Sequence, residues 1–155
     1  MRTQKGMTLI ETLIVFCIIA IVAAIAIPQF RKMAINGDLQ AAAKDIMGDF
    51  SYMRERAMSE NANYIPANYS IVFNQAGNSY TVPGLANPKT PKYFSSDINI
   101  TGVNFPGGGT TLTFQNRGTI SPPGTNIITL TNGRGSTATI TVLTAGRIYV
   151  QYALQ

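Results

Sequence analysis

The chain has 155 residues, room for one modest domain with an appendage, and a formal net charge of +5 from 12 Lys and Arg against 7 Asp and Glu. It has no histidine and a single cysteine, Cys17, so no disulfide closes within it and Ser-His-Asp or Cys-His nucleophile chemistry is excluded. A metal centre built on His or Cys lacks its ligands, no cofactor is expected, and with Asp97 the one acid after Glu60 the chain is not expected to be an enzyme.

From Leu13 to Ile27 the chain reads LIVFCIIAIVAAIAI, apolar throughout, and counting back to Met7 adds only Thr8, Glu11 and Thr12 as interruptions. At about 1.5 Å of rise per residue such a helix spans roughly 30 Å, the hydrocarbon thickness of a bilayer. Arg2 and Lys5 precede it and favour a cytoplasmic N-terminus, with the rest of the chain on the far side. A carboxylate in this setting is costly, about 2.5–3.5 kcal/mol at a helix centre. Glu11 therefore asks for a partner. The same segment also admits a simpler reading as a secretory signal peptide, with AIA at Ala24–Ala26 as the cleavage site. Against that reading stand Glu11 itself and the direct run of the apolar segment into a second helix.

That second helix is periodic. Leu39, Ala43, Ile46, Phe50, Met53 and Ala57 recur at alternating spacings of four and three, which lines one apolar face. Pro28 and Gly37 mark a kink or weakened stretch between the two halves. Together they predict one helix from Met7 to about Asn61, some 80 Å long, with a membrane half over 7–27 and an amphipathic half over 28–61.

The segment KGMTLIETLIVFCIIAIVAAIAIPQF resembles the N-terminus of type IV pilins and type II secretion pseudopilins. The resemblance implies a leader of residues 1–6 that a prepilin peptidase removes after Gly6, followed by N-methylation of Met7. Met7 departs from the phenylalanine most common after the cut. It further implies that Glu11 of one subunit pairs with the new amine of its neighbour, and that Pro28 is the helix-kinking proline. Two charges that are each expensive in lipid would then neutralise one another as subunits join.

Over 62–155 the period changes to that of strands. YSIVFN and SYTV around QAGN read as a hairpin, INITGVNF and TLTFQ around PGGG as a second, and IITLTN and TATITVL around GRGS as a third, with GRIYVQY as a last strand. The expectation is an α+β fold: six to eight short antiparallel strands, with the amphipathic helix packed on their apolar face. ENANYIPANY joins helix to sheet, and GLANPKTPKYFSSD is the longest irregular stretch.

FQNRG, ITLTNGRG, ITV and GRI, in that order, resemble the GspH/FimT family, so that the likeness extends over nearly the whole chain. The family implies a minor pilin or pseudopilin, a subunit that initiates or caps a filament, whose partners are other pilin or pseudopilin subunits, the prepilin peptidase and the inner membrane. Some members, the DNA-uptake minor pilins, bind double-stranded DNA through a C-terminal Gly-Arg-x-Arg segment. Here Gly146, Arg147 and Ile148 are followed by Tyr149 where the second arginine would stand. Arg117, Arg134 and Arg147 all fall at predicted turns or strand starts, and their convergence at one end of the sheet would make a weak phosphate-binding patch.

Overall fold

The computed structural model describes residues 8–60, 64–83 and 91–155. The chain divides into two compact units, Met1–Ala34 and Ile35–Gln155. A single helix, α1 (Leu9–Ser59), runs through Pro28 and Gly37 without interruption, and the unit boundary falls between those two residues. Pro28 has no N–H, so the Ala24 carbonyl lacks its helical bond at that point.

In the second unit, the buried side chains of α1 are Leu39, Ala43, Ile46, Phe50, Met53 and Ala57. This is the predicted stripe, residue for residue. It packs on nine strands arranged as two antiparallel sheets: β1 (Ser70–Asn74), β2 (Ser79–Thr81), β3 (Lys92–Tyr93), β4 (Ile98–Asn104), β5 (Thr111–Phe114), β6 (Ile120–Ser121), β7 (Thr125–Asn132), β8 (Thr137–Leu143) and β9 (Ile148–Ala153). The first sheet runs β3-β2-β1-β5-β6 and the second β4-β7-β8-β9. A short 3-10 turn, Pro66–Tyr69, leads into β1.

Two of the three expected hairpins form, and the expected last strand is present. β1 meets β2 across the Gln75–Asn78 turn, β7 meets β8 across Gly133–Ser136, and β9 closes on β8. The expected hairpin over PGGG does not form. β4 pairs with β7 and β5 pairs with β1, so this glycine-rich turn carries the chain from one sheet to the other. The described residues form nine strands rather than six to eight because β3 and β6, two residues each, are too short to show a period. The irregular stretch expected between β2 and β4 contains β3; its residues 84–90, like 61–63 of the helix-to-sheet joint, lie outside the described residues.

Phe50 anchors the core. Its ring sits 6.1 Å from Phe73 of β1 in an edge-on arrangement and 5.7 Å from Phe114 of β5. Phe73 in turn stacks on Tyr80 at 5.7 Å and meets Phe105 edge-on at 6.0 Å. Such geometries add to the stabilisation that comes from burial alone.

Polar fastenings hold the flanks of α1. On one, Asp49 accepts hydrogen bonds from Tyr80 Oη (2.6 Å) and Lys92 Nζ (2.7 Å), so one carboxylate ties the helix to β2 and β3. At the end of the second sheet, Asn36 Oδ1 accepts from Asn132 Nδ2 and Ser136 Oγ, both at 2.9 Å, and Asn36 Nδ2 donates to Gln155 O at 3.2 Å. Ser136 is fully buried and Asn132 nearly so, and this network satisfies them.

Burial raises the pKa of Tyr80 far above the ordinary tyrosine value, and the hydrogen bond to Asp49 adds to the effect. The folded state therefore favours the neutral phenol. That contribution is complete below about pH 10, the unfolded-state value, and fades as pH rises beyond it. Urea unfolding followed from pH 7 to 11 should show wild-type stability falling at the alkaline end, with a shallower fall in Tyr80→Phe. Equal slopes for the two proteins would remove Tyr80 from the account.

Candidate functional site: the apolar helix and the arginine turns

The described residues of the first unit form a helix whose side chains are almost all exposed. From Leu9 to Ile27 every side chain is exposed except Ala23 and Ala26, which are half-buried, and Leu9 and Phe16 stand 88% and 66% open. The helix is long and apolar enough to cross a membrane. In a soluble environment this surface would be untenable, since exposed apolar area on this scale marks a membrane or protein contact. Cys17 lies on it, exposed.

Glu11 sits in the first turn of α1. Thr8 Oγ1 accepts from Glu11 N at 3.3 Å, and Thr8 N reaches back to Glu11 Oε2 at 3.5 Å. This is the reciprocal Thr-x-x-Glu capping box, stretched, and it places a carboxylate at the positive end of the helix dipole. The pattern is legible in the sequence as Thr-x-x-Glu at the start of the apolar run. The capping bonds are long. They satisfy Glu11 in part and leave its carboxylate free to take a stronger donor. Gly6 and Met7 lie outside the described residues.

The three head arginines do not converge. Arg117 occupies the turn between β5 and β6, closed by Gly118 N to Gln115 O (2.8 Å) and Gln115 N to Thr119 O (2.8 Å). Arg147 follows the turn between β8 and β9, closed by Gly146 N to Leu143 O (2.7 Å). These two turns touch: Ile120 N donates to Thr144 O at 3.0 Å, and a Cβ on Gly146 would collide with the Gly118 carbonyl oxygen. Arg54 of α1 joins them, its Nε donating to Gly118 O at 3.1 Å. Gly146 has φ +72°, so both its conformation and its closeness to Gly118 require glycine.

Arg134 lies elsewhere. It is in the turn between β7 and β8, where Asn132 Oδ1 accepts from the backbone N–H groups of Arg134 (3.1 Å) and Ser136 (2.9 Å). The whole of β8 separates that turn from Arg147, seven residues or about 24 Å at the usual rise. The patch that the arginines form at one end of the head is therefore Arg117 and Arg147, both exposed, beside the half-buried Arg54.

Comparison with known proteins agrees at both ends of the chain. Residues 1–27 match the family described as Prokaryotic N-terminal methylation motif, and residues 42–146 match the family described as Type II transport protein GspH. Two curated relatives, each named Fimbrial protein and each from Pseudomonas aeruginosa, are 46% identical to this chain over 46 residues, 30% of this chain and 30% of each relative. The match thus spans less than a third of those relatives' length. No solved structure matches. The GspH match takes in most of α1's packed half and all of the strands up to the β8–β9 turn, and the methylation motif takes in the uncovered apolar helix. With a pilin-like fold to carry both, this chain belongs to the GspH family of pilin and pseudopilin proteins.

Proposed function

We propose that this chain is a minor pilin or pseudopilin, a non-enzymatic subunit that initiates or caps the filament of a type IV pilus or a type II secretion pseudopilus. The observation that carries the proposal is the apolar helix: an uncovered surface with one carboxylate, whose described partners are only its own helix turn. A bilayer covers such a surface before assembly, and the helices of neighbouring subunits cover it afterwards. Residues 1–6 are the leader, 7–27 the membrane and assembly helix, 28–61 the packed helix and 62–155 the head, held outside the cytoplasm. The prepilin peptidase cuts between Gly6 and Met7 and Met7 is methylated. Glu11 then exchanges its stretched capping bonds for the methylated amine of an adjacent subunit. The missing N–H at Pro28 lets the helix bend to fit its neighbours.

A second reading adds double-stranded DNA as a ligand of the head, and its support is the pair Arg117 and Arg147 on touching turns. Two phosphate contacts correspond to a salt slope near −1.8, at about −0.9 per contact, which describes weak and sequence-independent binding.

Three experiments test these readings. Intact mass of the chain from membranes should show the loss of residues 1–6 and one added methyl; an uncut mass, or a cut after Ala26, defeats the pilin reading. Glu11→Gln preserves the capping box and removes the charge, whereas Glu11→Ala removes both. Both variants should enter filaments at least about tenfold less than wild type, the equivalent of one lost charge-assisted bond. Normal entry of the Gln variant would reduce Glu11 to a helix cap. For DNA, a titration with labelled duplex at several salt concentrations should show affinity lost in Arg117→Gln and Arg147→Gln and retained in Arg134→Gln. Equal loss in all three would mean that net charge alone is read, and no binding at low salt would end the second reading.

A further inference from the structure

Among the described residues the two sheets have four outer edges, of which two are short and one is partly capped. β3 and β6 are two residues long, too short to template another strand. β4 is seven residues long and is capped by side chains over Ile98–Thr101. Asn132 N donates to Ser136 O, which makes the even-numbered residues of β7 bond to β8 and the odd-numbered ones bond to β4. The register then turns the backbone groups of Ile98 and Ile100 toward the open side. Asn78 occupies that side: its Nδ2 donates to Ile98 O (2.6 Å) and its Oδ1 accepts from Ile100 N (2.9 Å). Gln75 Nε2 covers Thr101 O at 3.0 Å, and a register break between Ile100 and Gly102 bends the strand. Asn78 has φ +46°, a strained position for a residue other than glycine, taken up where its amide can reach β4.

β9 has no such protection. Its six residues, IYVQYA, include no charge and no proline, and its register with β8 is regular. Leu143 N donates to Arg147 O, so Tyr149, Gln151 and Ala153 bond to β8, and Ile148, Val150 and Tyr152 turn their N–H and C=O groups to the open edge. No described residue hydrogen-bonds to those groups. The Tyr152 hydroxyl is also buried with no partner among the described residues. Beside the strand, a groove of about 200 Å³ is lined by Ser51, Arg54, Glu55 and Met58 of α1 together with Ile148.

We propose that the open edge of β9 accepts an extended strand from a different membrane-tethered subunit, which adds to the second sheet as its fifth strand. The identity of this occupant rests on the assembly reading above; the openness of the edge does not. Arg54 and Glu55 balance one another in the groove and β9 is uncharged, so the incoming strand is uncharged on its groove side. Six paired residues extend about 20 Å and bury less than the roughly 1,200 Å² of a stable soluble complex. A subunit already concentrated by a shared membrane fits that modest area better than a soluble partner does. A second copy docking β9 on β9 is disfavoured by symmetry. The two-fold axis of such a pair stands normal to the sheet and reverses the Ile35–Ser59 stretch of α1, whereas two chains in one membrane enter their heads from the same side.

Val150→Pro tests this on the full-length chain in membranes that contain its partner subunits. The substituted N–H faces the open edge, so the β8–β9 ladder keeps its bonds, and proline is tolerated on an edge strand in that orientation. Incorporation into filament fractions should fall about tenfold or more, the effect of one lost bond and a ring in its place, while Val150→Thr stays within about twofold. Amide exchange on the wild-type chain gives a readout that does not depend on the variant folding. Relative to the detergent-purified chain, Ile148, Val150 and Tyr152 should exchange at least about tenfold more slowly in membranes, with Tyr149 and Gln151 unchanged. Identical rates in the two settings, or normal incorporation of Val150→Pro, would overturn the proposal. So would photocross-links from position 151 that reach only a second copy of this chain. An unprocessed N-terminus would refute the assembly reading instead, and the alternating protection pattern would still report whether the edge is occupied.

Discussion

Everything in the head depends on one stripe of six apolar side chains. Neither sheet could stand alone: the first has two strands of two residues at its edges, and the second has only four strands. Both bury their inner faces against Leu39, Ala43, Ile46, Phe50, Met53 and Ala57, and Phe50 touches rings from two strands of the first sheet. The helix thus serves as the shared core layer of both sheets, and helical spacing dictates where each one meets it. Because the stripe occupies only one side of α1, the flanks stay free for polar fastenings, Asp49 with Tyr80 and Lys92 on one and Asn36 with Asn132 and Ser136 at the end of the second sheet.

The same helix serves two environments by changing its pattern. Before Pro28 it is apolar on all sides and, among the described residues, almost wholly exposed; after Gly37 it is apolar on one side and fully covered there. The first half can satisfy its backbone internally, which is the requirement of a bilayer, and the second half can bury a stripe, which is the requirement of a soluble core. Glu11 belongs to neither pattern. Its placement at the helix N-terminus, within reach of Thr8, keeps the carboxylate tolerable in a single chain while leaving it able to bind more strongly elsewhere.

The sequence was most informative where structure is local. The buried stripe of α1 and the turns β1–β2, β7–β8 and β8–β9 are all set by periodicity or by residues within a few positions of one another. It misled at PGGG, because a turn signal specifies a reversal of the chain and not the strand that will be paired. β4 found a longer partner in the eight residues of β7 than the four of β5 could offer. The arginines could have been sorted without a structure, since successive hairpin turns around one strand must fall at its opposite ends. That reasoning separates Arg134 from Arg147 at once, whereas the neighbouring of Arg117 and Arg147 depends on contact between sheets. Thr8 and Glu11 form a readable Thr-x-x-Glu pattern whose bonds lie within a single chain. Asn78 carried no signal beyond that of a turn, because its effect depends on a strand some twenty residues away.

The closure of β4 by Asn78 has a consequence for counting. A sheet with two open edges can be added to at both, and identical units could then continue without limit. With Ile98–Thr101 of β4 capped and β9 open, the proposed strand addition has a valence of one: among the described residues the head offers no equivalent edge with which to pass the interaction on. On that proposal, repetition through the sheet stops at the first step, and the side-chain amides of Asn78 and Gln75 are what keep it from continuing through β4.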